Sequence, residues 1–106
     1  MATGTIKANY DIDQTSGNSI ALSYPRIIGY AEDVDTPTVF CPFPFVTKNL
    51  NYTVSVTGFS IDGVAGGAQN PTAKSKNHNG CVVTGTATMA YNTKFGGNVY
   101  LTITFA

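Results

Sequence analysis

The sequence is poor in charge. Only 11% of its 106 residues are charged, against roughly a quarter in an average domain. Six basic residues balance six acidic ones, and no basic stripe is present that would neutralise a phosphate backbone. The sequence therefore predicts no nucleic-acid partner. Zero net charge also removes the repulsion that keeps a free monomer in solution, which favours an assembled protein.

Long apolar runs and helix-forming residues are also scarce. No window approaches the roughly 20 apolar residues of a membrane span, and the first residues lack the pattern of a secretory signal. We therefore expect no membrane insertion and no export through a signal peptide. Glutamate occurs once and leucine three times, so no stretch predicts a long amphipathic helix. A chain of this length holds one core, and the prediction is a single all-β domain over residues 1–106.

The first third of the chain predicts a hairpin and a connection. Apolar and polar residues alternate over Ile6–Ile12 and again over Ile20–Tyr24, with a turn at residues 14–18 between them. From residue 26 to residue 38 the alternation weakens, and we interpret this stretch as a connection. It contains a short strand at 27–30 and an acidic loop at 31–37.

The middle of the chain predicts two strands and a long loop. One face of the next strand is formed by Val39, Cys41, Phe43 and Phe45. Pro42 and Pro44 donate no ladder hydrogen bonds, which predicts a sheet edge. Residues 50–61 form another strand, whose apolar phase shifts at Gly58 and so predicts a β-bulge. Residues 63–80 contain four glycines and predict a long loop or several turns.

The last quarter predicts two more strands. The inward face of the first is formed by Cys81, Val83, Ala87 and Met89. A turn is predicted at 92–98, and alternating residues 99–105 form the final strand. Six or so short strands separated by Gly, Asn and Pro turns are typical of an antiparallel β-sandwich or jelly-roll-like fold.

The titratable residues form no recognisable catalytic or metal-binding set. The single histidine, His78, lies in a polar turn, so we favour a solvated histidine, with carbohydrate contact as the alternative. Asp11 and Asp13 share a strand face, and a solvated surface is favoured there over a calcium site. Glu32 stands beside Asp33 and near Asp35, but acid pairs are common by chance. We predict no metal, no cofactor and no enzymatic activity.

The two cysteines predict core packing. Cys41 and Cys81 lie on strands whose apolar faces both point inward. Since no export signal is visible, buried free thiols are favoured over a disulfide, which stays the alternative.

Three tyrosines are candidates for ligand contact. Tyr30, Tyr91 and Tyr100 lie near turns or on a polar strand face. An exposed ring offers a sugar a flat apolar surface and a hydroxyl, whereas core filling or an inter-subunit contact is the alternative for each.

The order of motifs over residues 39–106 resembles a known family. A Phe43-Pro44-Phe45 strand precedes a Tyr-Thr-Val-rich strand at 51–57, a Lys-x-Lys-x-x-x-Gly turn spans 74–80, and an alternating strand closes the chain. This pattern is similar to that of tail-fibre and receptor-binding proteins of tailed bacteriophages. A typical member carries a long upstream shaft, so we expect an excised head domain or a small accessory subunit.

The resemblance implies a homotrimeric head at the tail tip of a virion, which recognises a saccharide or protein receptor on the bacterial surface. It also implies that the chain is made in the host cytoplasm without a signal peptide. Low charge and Asn/Gly loops suit neutral hydrogen bonding to sugars, and repetition in a trimer raises avidity. The candidate ligand-binding residues are Tyr30, Asp33, Asp35, Asn77, His78, Asn79, Tyr91 and Lys94. The alternatives are a structural baseplate or decoration protein with protein contacts only, and a glycan-acting enzyme that uses Glu32, Asp33 or Asp35.

Overall fold

All regular structure in the described part of the chain is β-strand. The computed structural model describes residues 14–106, so the predicted strand Ile6–Ile12 lies outside the described residues. The strands are β1 (Ser19–Asp33), β2 (Thr36–Pro42), β3 (Tyr52–Ile61), β4 (Gln69–Asn77), β5 (Gly80–Thr86) and β6 (Lys94–Phe105). Within residues 14–106 no helix is long and apolar enough to cross a membrane. The all-β prediction is confirmed.

The six strands form one antiparallel sheet in the order β3-β6-β1-β2-β5-β4. The sheet curls until its edge strands approach each other, so that it is nearly closed into a barrel. Hydrogen bonds connect the two edges. The Ala68 N–H, just before β4, donates to the Phe59 carbonyl at 3.0 Å, the Tyr52 hydroxyl donates to the Asn77 carbonyl at 2.8 Å, and the Lys76 ammonium donates to the Tyr52 carbonyl. The predicted single antiparallel domain is confirmed, with one continuous sheet around one core.

Two bulges beside β6 account for much of the curvature. The register of β1 on β6 shifts between Tyr24 and Ile27, and that of β3 on β6 shifts between Val56 and Gly58. Both shifts lie opposite the same part of β6, and a bulge bends its strand and increases its twist. The bulge predicted at Gly58 is confirmed. The bulge in β1, where Arg26 has a φ of +57°, was not predicted, because Pro25 interrupts the alternation of apolar and polar residues at this point.

The predicted connection at 26–38 is wrong, because this stretch forms a tight hairpin. β1 continues to Asp33, and β2 begins at Thr36. Only Val34 and Asp35 form the turn, and Asp35 adopts a φ of +56°. An aspartate tolerates this left-handed conformation better than most residues, so the acidic segment turns the chain without a long loop.

The predicted edge position of β2 is also wrong. β2 lies between β1 and β5 in the middle of the sheet. Pro42 is tolerated there because it is the last residue of the strand, opposite Gly80. The predicted inward face is confirmed by four buried side chains, those of Val39, Cys41, Phe43 and Phe45.

Two predicted loops are shorter in the structure. Residues 63–80 contain β4, which pairs with β5 and keeps most of its side chains in solvent. Apolar periodicity is weak in such an exposed edge strand, which is why the sequence predicted a loop. The predicted turn at 92–98 ends where β6 begins, at Lys94. Gly96 and Gly97 therefore belong to the strand, although glycines usually indicate a turn.

One core fills the curled sheet. The alternating side chains of β6 are almost completely buried, as predicted. Phe43 packs on Phe45 with ring centroids 5.2 Å apart and meets the edge of Tyr52 at 5.7 Å. Each fully buried side chain of this size contributes roughly 1.5 to 3 kcal/mol of burial free energy. The apolar core consists of Ala31, Val39, Cys41, Phe43, Phe45, Tyr52, Phe59, Ile61, Ala68, Cys81, Val83, Ala87, Met89, Phe95, Val99, Leu101, Ile103 and Phe105.

Gly97→Ala tests the close approach of β3 to β6. A Cβ at Gly97 would overlap the backbone carbonyl of Ser60, which has no room to move within the paired strands. We expect a loss of roughly 1 to 3 kcal/mol or more in the free energy of unfolding, measured by urea titration. Gly96→Ala is the control, because its Cβ would meet the side-chain Oδ2 of Asp62 at 3.1 Å. Equal free energies of unfolding for the two variants would contradict the close contact between Gly97 and the Ser60 carbonyl.

Candidate functional site

The eight predicted site residues lie at two different ends of the sheet. β2 has seven residues, which span about 20 Å at a rise of about 3.3 Å per residue. At its start lies the β1–β2 turn with Asp33 and Asp35, and at its end Pro42 pairs with Gly80, beside residues 77–79. The structure therefore does not bring the predicted residues into one site.

The β4–β5 turn is held by its own polar side chains. The Nδ1 of His78 lies 2.7 Å from the carbonyl oxygen of Thr47. Since a carbonyl only accepts, Nδ1 carries a proton in this contact. The Asn77 Oδ1 accepts the Asn79 N–H at 2.7 Å, and the Asn79 carbonyl accepts the Phe43 N–H at 2.8 Å. These three predicted contact residues thus anchor the segment that follows β2.

The β1–β2 turn is organised in the same way. The Asp33 Oδ1 accepts the N–H of Val34 at 2.8 Å. The Asp35 Oδ1 accepts the N–H of Met89 at 2.9 Å, and the Asp35 N–H donates to the Met89 carbonyl at 2.7 Å. Both carboxylates are engaged with backbone groups, so they fix the turn and attach the β5–β6 loop to it.

A cleft of about 300 Å³ lies on the outer face of the sheet beside this loop. It is lined by Ile28, Gly29, Tyr30, Asn92 and Lys94. Tyr30 and Lys94 are register partners on β1 and β6, and register partners point to the same face of a sheet. The Tyr30 side chain is 49% exposed. Two of the predicted site residues therefore meet in this cleft.

A second groove of about 220 Å³ lies on the other side of Tyr30. Ile28 lines this groove as well as the first cleft, and the other lining residues include Thr38, Phe40 and Val82. Ile28 is 67% exposed and Phe40 is 48% exposed. We call the residues around both depressions, Ile28, Tyr30, Phe40, Asn92 and Lys94, the Tyr30 surface.

Three residues of the Tyr30 surface were not predicted from the sequence: Ile28, Phe40 and Asn92. Ile28 points outward because the bulge after Tyr24 reverses the phase of β1, so that Ile27 and Gly29 face the core. Asn92 lies between Tyr91 and Lys94, which were both predicted site residues. Its position in the same predicted turn was the sequence feature that could have identified it. Tyr91 itself lies in that loop and is exposed, but it does not line the cleft.

An ion pair borders the Tyr30 surface. The Lys74 Nζ lies 2.9 Å and 3.0 Å from the two carboxylate oxygens of Glu32, and the Thr38 hydroxyl donates to the same carboxylate at 3.0 Å. The hydrogen bonds from Lys74 and Thr38 lower the pKa of Glu32. Lys94 makes no ion pair with any residue in 14–106, and no carboxylate lines either depression.

The cysteines are core residues and are not bridged. Cys41 and Cys81 are register partners on β2 and β5, and both are completely buried. Burial raises the pKa of Cys41 to about 12, with a smaller contribution from the neighbouring Cys81. Burial also raises the pKa of Cys81 to about 11. Free buried thiols, which the sequence favoured, are what the structure contains.

Comparison with known proteins assigns no family. No protein-family model, no curated protein and no solved structure matches the chain. Within residues 14–106 no three His, Cys, Asp or Glu side chains form a group that would hold a metal ion. Functional inference therefore depends on the geometry of the Tyr30 surface.

The buried thiols are expected to resist modification. A thiolate is the reactive form, and burial with a raised pKa keeps both cysteines protonated at pH 8. We expect iodoacetamide to label neither cysteine in the folded protein and both in urea, as measured by intact mass. Rapid labelling of the folded protein would contradict the burial of this pair.

Glu32→Gln tests the ion pair through its pH dependence. The pKa of Glu32 is lower in the folded chain than in the unfolded chain. The ion pair therefore stabilises the fold fully above the pKa of a free glutamate, about 4.3, and this stabilisation is lost as the pH falls through the pKa of Glu32 in the folded chain. For a solvent-accessible pair we expect roughly 0.2 to 1 kcal/mol at pH 7. The stability difference from the native chain, measured by urea unfolding, should shrink in acid. A difference that grows in acid would contradict the assignment.

Proposed function

We propose that this chain is a non-enzymatic recognition module of the bacteriophage tail-fibre head type, which binds a saccharide of the bacterial surface in the cleft beside Tyr30. The observation that carries the proposal is the half-exposed Tyr30 ring, which faces the same cleft as the Asn92 amide and the Lys94 ammonium. Among residues 14–106, Lys94 has no ion-pair partner. The resemblance of residues 39–106 to phage receptor-binding proteins supports the same function.

The chemistry of the cleft suits a sugar. An aromatic ring packs on the C–H face of a pyranose, and its hydroxyl donates and accepts hydrogen bonds. The Asn92 side chain adds an amide that does both, and Lys94 adds only donors. This set favours a neutral sugar or one that carries a carboxylate, and it includes no carboxyl group of the kind that glycoside hydrolysis uses.

The size of the cleft predicts weak binding at a single site. A volume of about 300 Å³ is at the lower end of the range for small-molecule sites, about 300 to 1,000 Å³. Such a cleft accommodates a short saccharide segment, not a long chain. A trimer that presents three copies would then supply the avidity that host attachment requires.

The loop that carries Asn92 is held in place before any ligand binds. The Asn92 N–H donates to the Ala31 carbonyl at 2.8 Å, and the Ala31 N–H donates to the Thr93 carbonyl at 2.9 Å. Asp35 holds the preceding part of the loop through Met89. Ligand binding therefore costs little conformational entropy for ordering this loop, which favours affinity in a small site.

The carboxylates support a binding role over hydrolysis. Glu32 is paired with Lys74, and Asp33 and Asp35 accept backbone N–H groups. Glycoside hydrolysis needs two carboxyl groups on opposite sides of the scissile bond. A cleft without a carboxylate in its lining favours recognition.

A second candidate is a structural virion protein that makes only protein contacts. The observation in its favour is the apolar half of the Tyr30 surface, where Ile28 and Phe40 are both extensively exposed. Exposed apolar groups of this size are more typical of a protein interface than of a sugar site. The two candidate functions therefore depend on different side chains: saccharide binding depends on Tyr30 and Asn92 in the cleft, and protein contact depends on Phe40 in the second groove.

Tyr30→Ala tests the proposal, with Tyr100→Ala as a matched control. Tyr100 is 46% exposed on the same outer face, but its ring covers Gly58, away from the cleft. We expect Tyr30→Ala to lower binding on a bacterial glycan array and to host cells at least tenfold, because stacking is lost, while Tyr100→Ala binds normally. Asn92→Gly should also reduce binding, since glycine tolerates the φ of +66° while the amide is removed.

Three results would count against saccharide binding. Native binding by Tyr30→Ala would remove the proposed contact. Absence of binding to any host envelope preparation would remove the function. Loss of assembly with other virion proteins in Phe40→Ala, with normal glycan binding in Tyr30→Ala, would instead select the structural candidate.

A further inference from the structure

The cleft beside Tyr30 has a positive charge in its lining. Only Lys94 is charged among the lining residues within 14–106, which are Ile28, Gly29, Tyr30, Asn92 and Lys94. Tyr30 and Lys94 are register partners on β1 and β6, so their Cβ atoms lie about 4.5 to 5.5 Å apart. A sugar ring that packs on the Tyr30 side chain therefore lies beside the Lys94 ammonium.

The carboxylates of the β1–β2 hairpin do not neutralise this ammonium. Glu32 is paired with Lys74 at a distance of 2.9 Å. The Asp33 and Asp35 carboxylates each accept a backbone N–H. In the part of the chain that the structure describes, Lys94 has no ion-pair partner. Its charge is therefore available to a ligand.

The remaining carboxylate among residues 14–106, that of Asp62, lies beyond Ile28 as seen from Lys94. A Cβ added at Gly96 would stand 3.1 Å from the Asp62 Oδ2 and 3.7 Å from the Ile28 Cδ1. Gly96 and Lys94 are two residues apart on β6, so they face the same side of the sheet about 7 Å apart. The outer face therefore has a negative charge beyond Ile28 and a positive charge beside Tyr30.

An anionic group on the ligand uses the Lys94 ammonium better than a hydroxyl does. Lysine has three donors and no acceptor, and a hydrogen bond from an ammonium to an anionic oxygen is shorter and stronger than one to a neutral oxygen. Because lysine acts as a compact point charge, carboxylate, sulfate and phosphate groups all meet this requirement. A neutral sugar would leave the charge of Lys94 unpaired in the cleft.

We propose that the cleft selects an acidic saccharide, whose ring packs on Tyr30 and whose anionic group binds the Lys94 ammonium. This inference rests on the proposed function and names the class of its ligand. Asp62 repels a second anionic group placed beyond Ile28, so the two charges also favour one direction of the sugar in the cleft. The Asn92 amide donates to and accepts from the hydroxyls of the ring.

The test uses the full chain on a bacterial glycan array. Each acidic glycan is printed beside a matched form from which its carboxylate, sulfate or phosphate group has been removed. We expect the acidic form of a bound glycan to bind roughly threefold to tenfold more tightly than its neutral form at low salt, because the neutral form lacks the charge-assisted hydrogen bond. The preference should disappear in high salt, which screens an exposed charge. The kind of group whose removal weakens binding identifies the anionic group.

Two charge changes of opposite sign test the assignment of the charges. Lys94→Gln should bind the acidic and neutral forms equally, whereas Lys94→Arg should keep the preference. Asp62→Asn should raise the affinity for the acidic form by less than about threefold, because Asp62 lies farther from the anionic group than Lys94 does. Lys48→Gln is the matched control, since Lys48 is an exposed lysine outside the cleft. Circular dichroism should be the same for all four variants.

The inference and the proposed function fail in different ways. Equal binding of the acidic and neutral forms by the native chain would overturn the inference and leave saccharide binding in place. A preference that persists in Lys94→Gln, or that disappears in Lys48→Gln, would overturn the assignment to Lys94. Absence of binding of the native chain to any glycan would overturn the proposed function, and the inference with it.

Discussion

The pairing of β6 with two bulged neighbours is the constraint on which the rest of the structure depends. β1 and β3 lie on either side of β6, and both change register opposite the same short stretch of it. Because each bulge bends its strand, the sheet curls around β6. The curl brings β3 close to β4, where the Lys76 ammonium bonds the Tyr52 carbonyl and lies 4.9 Å from the centre of the Tyr52 ring.

The bulge in β1 also creates the outer surface to which we assign an interaction. Beyond the bulge, the phase of the strand is reversed, so Ile28 and Tyr30 point to solvent and form the outer cleft with Lys94. Before the bulge, β1 and β2 are not paired, and Tyr24 bridges them through its hydroxyl. One inserted residue therefore turns Ile28 and Tyr30 outward and so places them in the candidate sugar site.

Four of the polar side chains predicted to contact a ligand hold the turns of the fold instead. His78 and Asn77 fix the β4–β5 turn, and Asp33 and Asp35 fix the β1–β2 turn. A polar residue in a turn serves equally well as a ligand contact or as a turn anchor, and composition does not distinguish the two. The cleft beside Tyr30 is lined instead by an aromatic ring, an amide and an ammonium group, which is consistent with a neutral surface of low charge.

Period-two alternation by itself determined the strand class, the inward faces of β2, β5 and β6, and the bulge at Gly58, because burial of one sheet face leaves a direct mark on the sequence. The position of Tyr30 and Lys94 in or near predicted turns placed both among the candidate contacts. Only the tertiary structure decided that β2 is central, that β4 exists, and that Ile28 and Asn92 join Tyr30 while His78 lies at the other end. Strand order and the pairing of an exposed edge depend on backbone hydrogen bonds between segments that are distant in sequence. Nearly every residue type has the same backbone donor and acceptor, so the sequence contains little information about which strands pair.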